Sequence, residues 1–457
     1  MATNTRFSFI ILTVLFFLWG LLTSLNDILV PHLKSAFDLP YWQAQLVQFF
    51  FFGAYFVMSI PAGIIIRKIG YKGGIVLGLA LMGLGCFIFY PAAVVKIYGV
   101  FLLGLFVLAS GITILQVAAN PYVAVLGPEE TAASRLNLSQ GFNSLGHTIA
   151  PLFGAWLILQ NVKVVDVETV QMPYIFLAIT LIAIAVIFNF LQLPAIEYEH
   201  PRTRGFRLFD YPHLVLGAVA IFCYVGAEIA VGSFLVNYFI ADPTIALDTK
   251  SAGSYVAFYW GGAMVGRFIG SVALDDKIPV NRKALYMAAF PLLAIAVVWA
   301  IVYSQNLNFN LAKGFSAMLI INYFAFRLGK KTPPALLAFF AICCIVLLVV
   351  TMTTGGSVAL WSVLGVGLFN SIMWSNIFTL AIARLKQYTS YGSSLLVMMI
   401  VGGAVLPLIQ GVVADGIGVK LSYVVPLLAY GYLVFYGLRG YLPEVKTREN
   451  VNILDSE

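Results

Sequence analysis

The sequence predicts an all-α polytopic membrane protein built from two pseudo-symmetric helix bundles. Three observations carry that reading. Of 457 residues, 61% are apolar and only 10% charged, at a mean hydropathy of +0.95, whereas a soluble chain carries about 25% charge. Apolar runs of about 20 residues, enough to cross a bilayer, recur along the whole chain. Short spacings of glycine, proline and asparagine recur between its halves. The composition excludes a soluble enzyme, a nucleic-acid binder and a disordered chain, because water would not hold so much apolar surface apart. The net charge of +7 then belongs to basic loops on one membrane face, and no nucleic-acid partner is expected.

In the first half the runs lie at roughly 8 to 30, 45 to 66, 73 to 95, 98 to 126, 137 to 160 and 172 to 194. The first follows a single basic residue, Arg6, as a signal peptide would. It continues past a signal core and has no small-residue cleavage site, so it reads as a retained helix. The stretch 196–212, with Glu197, Glu199, His200, Arg202, Arg204, Arg207 and Asp210, interrupts the pattern as a linker between a bundle at 1–195 and a second at 213–440, before a tail at 441–457. Eight runs follow instead of six, at roughly 213 to 240, 251 to 274, 284 to 304, 311 to 328, 334 to 354, 357 to 383, 393 to 414 and 421 to 438. A cytoplasmic N-terminus leaves Lys34, Lys96, Lys163, Lys250, Lys313 and Lys420 outside and the rest of the 26 Lys and Arg inside, as the positive-inside rule demands. Omitting one run would throw Arg439, Lys446 and Arg448 outside, so parity gives fourteen spans, or twelve if two segments do not cross, with both termini cytoplasmic.

The repeat is read from spacing. Gly146 and Pro151 stand as far apart as Gly402 and Pro407, Gly111 and Asn120 as Gly367 and Asn376, and Phe16 and Gly20 as Phe222 and Gly226. Parallel-related transporter halves leave this kind of trace. Gly262, Gly266 and Gly270 form a ladder that permits close helix approach. Cys86, Cys223, Cys343 and Cys344 lie in apolar runs without metal or disulfide spacing and read as packing residues.

Two carboxylates, Asp27 and Glu228, fall well within spans. A charge at the bilayer centre costs about 2.5–3.5 kcal/mol on the insertion scale, so such groups face a cavity or a partner. A buried carboxyl that is protonated in one state and ionised in another couples a proton to conformational change; an acid near a helix end in headgroup water is the plainer alternative. Uncharged amides accompany them: Asn26, Gln48, Gln116, Asn120, Gln140 and Asn143, then Asn237, Asn370 and Asn376. Amides both donate and accept, which suits a neutral polyol, although any single one also serves interhelical bonding. Trp19, Tyr224, Tyr259, Trp260 and Trp374 offer flat faces for a pyranose ring, or for the core. His147, near mid-span with no carboxylate beside it in sequence, reads as a packing or cavity-lining residue. No HExxH or nucleophile constellation marks an enzyme, and no catalytic residue, metal or cofactor is expected.

The strings FFLWGLLTSLNDILVPHLK at 16 to 34, LVQFFFFGAYF at 46 to 56, IPAG at 60 to 63, LQVAANPYVAVLGP at 115 to 128 and RLNLSQGFNSLG at 135 to 146 resemble the fucose, galactose and glucose proton symporters of the major facilitator superfamily. FCYVGAEIAVGSFLVNYF at 222 to 239, YWGGAMVGRFIGS at 259 to 271 and VGGAVLPLIQG at 401 to 411 are similar to the glucose/galactose branch. The resemblance implies that superfamily's twelve-helix fold with alternating access, and makes Asp27 the match for the proton site on the first helix. Fucose-type members carry a glutamate where this chain has Gln116 and a glutamine where it has Glu228, which favours glucose, galactose or an N-acetylated hexosamine over fucose. The second departure is the pair of extra segments within 284–354, where the family has one helix. The expectation is a monomeric symporter of the bacterial inner membrane that imports a neutral hexose with a proton, its partners being sugar, protons and membrane lipid. A sugar sensor without flux is the alternative. Asp27 and Glu228 are the proton-coupling candidates. Asn26, Gln48, Gln116, Asn120, Gln140, Asn143, Glu228, Tyr259, Trp260, Asn370, Trp374 and Asn376 are the sugar-contact candidates, and Glu228 is open to either role.

Overall fold

A chain whose apolar residues outnumber its charged ones six to one satisfies its backbone inside a bilayer only by helices or a closed barrel, and this chain takes the first course. The computed structural model describes residues 5–37, 46–154, 171–191, 194, 208–304, 308–329 and 332–442. In the first half, α1 is Thr5–Ala36, α2 Leu46–Val95, α3 Tyr98–Val125, α4 Ala132–Gly154 and α5 Gln171–Phe190. The long α2 is two spans joined at Gly70, whose φ of 74° is open to glycine at no steric cost and lets the chain reverse there. The second half runs α6 Pro212–Ala241, α7 Thr249–Ala273, α8 Val280–Ser304, α9 Phe309–Leu328 and α10 Pro333–Thr353. It continues as two broken helices, α11 Gly356–Asn370 with α12 Met373–Ile382 and α13 Thr389–Met398 with α14 Gly402–Ile417, and closes with α15 Val419–Ser422 and α16 Val424–Phe435. Helices thus stand at all fourteen places the apolar runs mark. Ten described helices are long and apolar enough to cross a membrane, one of them the double α2, and α1 contributes the shorter apolar stretch Phe7–Thr23.

The repeat is physical. A Cβ on Gly146 of α4 would lie 2.2 Å from the carbonyl oxygen of Phe17 on α1, and a Cβ on Gly402 of α14 would lie 2.2 Å from that of Phe222 on α6. A like backbone-to-backbone contact therefore locks corresponding helix pairs in both halves, one residue out of the register that pairs Phe16 with Phe222. The Gly111–Asn120 spacing behaves differently: Gly111 packs on Gly78 and Met82 of α2, whereas Gly367 packs on Tyr259 of α7. Packing also decides which of the three helices within 280–353 continues the symmetric plan. α10 rests on α11 and α16, as the second limb of α2 rests on α3 and α5, so α8 and α9 are the additional pair. They hold each other through Trp299 Nε1 donating to Ser316 Oγ at 3.1 Å and Tyr323 OH donating to the Ala284 carbonyl at 3.3 Å. They lie against α7, where Phe268 stacks on Phe290 at 5.3 Å and Phe258 meets Phe315 at 4.8 Å. Their outer face, with Leu285, Leu292, Leu293 and Ile320, stays exposed and apolar, as a lipid-facing surface must.

Call the side on which α1 begins the near side. The halves meet there. Arg67, beside the α2 reversal, donates to the Tyr391 hydroxyl at 2.9 Å and lies over its ring at 5.3 Å. Ser134 Oγ donates to the Ser271 carbonyl at 2.6 Å, Ser393 Oγ to the Val117 carbonyl at 3.0 Å, and Asn137 Nδ2 to Asn376 Oδ1 at 3.4 Å. On the far side the second bundle is tied within itself. The Asp242 carboxylate accepts from the Thr244 backbone and hydroxyl at 2.9 and 2.5 Å and pairs with Lys420 at 3.2 Å, while Thr244 Oγ1 accepts from Gly356 N at 2.7 Å.

The glycine contacts make a direct prediction. Gly146→Ala and Gly402→Ala force a methyl against backbone and each lower stability by about 1–3 kcal/mol. Gly431→Ala, with nothing within 4 Å, does not. Thermal unfolding in detergent checks it, and equal melting of all three variants would refute the interlock.

Candidate functional site

Among the described residues the buried charges lie in the second half. Glu228, at mid-length of α6 and 7% exposed, accepts from the Tyr224 hydroxyl one turn back at 2.8 Å on Oε1. Arg267 Nη2 stands 3.6 Å from the same oxygen. Arg267 reaches it because the Gly262, Gly266, Gly270 ladder lets α7 sink onto the junction between α11 and α12. A Cβ on Gly266 would meet Ser371 Oγ at 2.4 Å, and one on Gly270 would meet Ile372 Cγ2 at 2.4 Å. The junction interrupts the helical ladder inside the bundle, and freed carbonyls there need partners. Ser371 O accepts from Arg267 Nε at 3.2 Å, and Leu368 O accepts from Ser371 Oγ at 2.7 Å and from Asn322 Nδ2 of α9 at 3.3 Å. The remaining guanidinium arm, Nη1, donates to Ser144 Oγ on α4 of the other half. Arg267 is the residue that sequence reasoning missed. Counted among the inner-side cations, it instead sits six residues before the end of α7 inside an apolar run, and that position was the available signal.

From Ser144 a line of polar groups crosses the first half. Ser144 Oγ donates to the Gln140 carbonyl at 3.0 Å, and Gln140 Nε2 donates to Asn120 Oδ1 on α3 at 3.4 Å. The Asn120 amide nitrogen is buried with no protein partner. One turn back along α3, Gln116 Nε2 donates to Tyr55 OH on α2 at 2.7 Å. Asn143 Nδ2 donates to the Phe16 carbonyl at 3.0 Å, and His147 Nδ1 lies 3.1 Å from the Asn143 carbonyl. Gln116, Asn120, Gln140 and Asn143 are thus gathered on α3 and α4, facing α1, α2 and α7. Trp260, two turns from Arg267 along α7 and 38% exposed, lies edge-on to Tyr259 and against Gly232 of α6. Asn26 and Asp27 on α1 and Gln48 at the start of α2 have helical backbone, and their side chains lie outside the described residues.

Other expected contacts are engaged elsewhere. Tyr259 OH donates to the Glu228 carbonyl at 2.9 Å and accepts from Asn370 Nδ2 at 2.9 Å; Asn370 Oδ1 accepts from Tyr430 OH at 2.7 Å. That network is wholly buried within the second bundle, behind Glu228. Asn376 spans to Asn137 and to the Pro333 carbonyl at 3.1 Å, at the near-side seam. Trp374 stacks on Phe378 at 6.1 Å, its indole nitrogen buried without a protein partner. Trp19 packs on Phe16 at 5.2 Å. Among the described residues no group of His, Cys, Asp and Glu is arranged to hold a metal ion.

Two bundles related by a repeat, meeting on one side, with buried charge and amides at their interface, form the architecture of an alternating-access carrier. A family model described as Major Facilitator Superfamily matches residues 9–312. The chain belongs to the Major Facilitator Superfamily. Within it, the chain is 47% identical over 445 residues to a glucose/galactose transporter of Brucella abortus, covering 96% of this chain and 95% of that protein. It is 42% identical to a putative glucose/galactose transporter of Helicobacter pylori, over 95% and 96% of the two chains. The L-fucose-proton symporter of Escherichia coli is 34% identical, over 94% and 92%. The crystal structure of a Major Facilitator Superfamily transporter, FucP, in the outward conformation superposes with a TM-score of 0.76 at 31% identity, over 95% of this chain and 98% of that one.

The Asn370 network is a structural test of the site's boundary. Asn370→Ala removes the acceptor of the buried Tyr430 hydroxyl and the donor to Tyr259, which keeps the Glu228 carbonyl, and lowers stability by about 1–3 kcal/mol, while galactose affinity in the folded fraction stays at the parent value. Thermal unfolding together with equilibrium binding decides, and weakened binding at unchanged stability would move Asn370 into the sugar site.

Proposed function

We propose that this superfamily member imports a neutral hexose, glucose or galactose, together with a proton across a bacterial inner membrane. The observation that carries the reading is the polar line that runs from Asn120 through Gln140 and Ser144 to Arg267, Glu228 and Tyr224, joining both halves. Among the described side chains of this line, uncharged amides occupy the first half and a charge pair the second. That division suits a cargo with hydroxyls and no charge and a separate proton. The 47% identity to a protein named glucose/galactose transporter supports the same class, and the proton-coupled names among the relatives support the coupling ion.

In this reading Gln48, Gln116, Asn120, Gln140 and Asn143 bind sugar hydroxyls and Trp260 supplies the flat face for the ring. Asn26 serves the same surface from α1. Asp27 is the proton site that the resemblance assigns to the first helix, and Glu228 is a second ionisable site within the charge pair. The carrier works as a monomer with fourteen crossings and both termini in the cytoplasm, so the near side is the inner one. The seam from Arg67–Tyr391 to Ser134–Ser271 closes it, which is the outward-facing state.

Two measurements test this. Asp27→Asn, reconstituted in proteoliposomes, loses proton-driven galactose accumulation and keeps galactose counterflow, since exchange requires no proton release; full accumulation by the variant contradicts the assignment. Gln140→Ala and Asn143→Ala each weaken galactose binding about tenfold, the consequence of one stranded buried hydrogen bond. Native affinity in both returns these amides to helix packing. Competition by unlabelled glucose, fucose and N-acetylglucosamine against labelled galactose ranks the sugars, and a fucose preference would favour the function named for the E. coli relative.

A further inference from the structure

Arg267 is the charged side chain that neither sugar binding nor the proton sites account for. Its guanidinium holds three helices and both halves at once: Glu228 on α6 at 3.6 Å, the Ser371 carbonyl between α11 and α12 at 3.2 Å, and Ser144 Oγ on α4. It lies roughly 9 Å along α7 from the helix end, at 1.5 Å per residue. Arginine stays protonated at any working pH, so Glu228 sets the balance of the cluster. With Glu228 ionised, the pair is neutral. With Glu228 protonated, Arg267 is a cation without an anion among buried groups, a strongly unfavourable arrangement.

Among the described residues the neighbours offer no replacement. Ser144 and Ser371 present dipoles only. Tyr224 on α6 and Tyr259 on α7 are phenols, and His147 on α4 would add like charge on protonation. On α8, Lys283 is engaged with Asp276 at 3.7 Å, and α9 brings the amide Asn322. Water is what remains: the Arg267 side chain is only 12% exposed, and parting α4 from α7 would hydrate the guanidinium from the near side. The seam to be opened consists of Arg267 on Ser144, Phe142 on Phe268 at 5.6 Å and Ser134 on Ser271.

We infer that Arg267 is the positioning residue that converts neutralisation of Glu228 into separation of α4 from α7, the step that opens the near side. The inference rests on the proton-coupled reading above but is tested without sugar flux. In a variant with Cys86, Cys223, Cys343 and Cys344 replaced by serine, cysteines are placed at Ser134 and Ser271, whose hydroxyl and carbonyl lie 2.6 Å apart, and oxidative cross-linking is timed in liposomes at neutral pH. Glu228→Gln, which mimics the protonated acid, slows cross-linking about tenfold or more. Adding Arg267→Gln to it restores the parent rate, whereas adding Arg267→Lys, which keeps the charge, does not. An unchanged rate in Glu228→Gln, or no restoration by Arg267→Gln in protein that elutes as a single folded species, overturns the inference. Ser144→Ala leaves both charges in place and removes the clasp alone. It slows cross-linking severalfold, and an unchanged rate there overturns the clasp even if neither double variant folds. Galactose counterflow by the parent, measured on the same vesicles, fails only if the proposed function fails.

Discussion

An arginine inside a bilayer-embedded bundle must be neutralised and have its donors satisfied, and much of the second half is arranged around that constraint. The glycine ladder on α7 brings the helix close enough for the guanidinium to reach Ser371 O. The break between α11 and α12 exposes that carbonyl, and Arg267 and Asn322 supply the donors that the interrupted ladder lacks. Glu228 provides the anion, Tyr224 fixes its carboxylate, and the Tyr259–Asn370–Tyr430 network fixes the backbone behind it. Each is a consequence of placing one permanent charge where the dielectric is low.

The halves therefore share a backbone plan and differ in chemistry. Gly146 on Phe17 and Gly402 on Phe222 are a like joint made once in each half. Yet among the described side chains the first half lines the interface with amides and the second with a charge pair. The additional pair α8 and α9 sits on the charged half, and α9 takes part in it through Asn322. A two-helix insertion that carries a donor to the broken helix is thus part of the support for the site as well as added lipid-facing surface.

Much of this was legible in the sequence, and the exceptions have physical reasons. Run length and hydropathy marked fourteen places, each of which holds helix among the described residues, because backbone satisfaction in lipid leaves no other solution for a long apolar segment. Equal spacings of glycine to its partners revealed the repeat, since close helix contacts require small residues at fixed depth. Which helix continues the plan was not legible: 280–304, 309–328 and 333–353 are all apolar, and only packing on α11 and α16 separates the last. Arg267 was hidden by a rule that counts basic residues near span ends as loop charges. The Asn370 network was hidden because Tyr259 and Tyr430 are 111 and 60 residues away from Asn370, a pairing that composition cannot announce. The break at Ser371 has neither proline nor glycine to mark it.

In the proposed function, the amides of the first half, the charge pair of the second and a seam closed on one side let proton and sugar share one conformational change. The most direct test is the proton movement that the sugar evokes. Lightly buffered proteoliposomes holding the wild-type chain, with no imposed gradient, are given galactose outside while external pH is recorded. The account predicts external alkalinisation as sugar and proton enter together, abolished by a protonophore. Galactose entry with no change in external pH would contradict it.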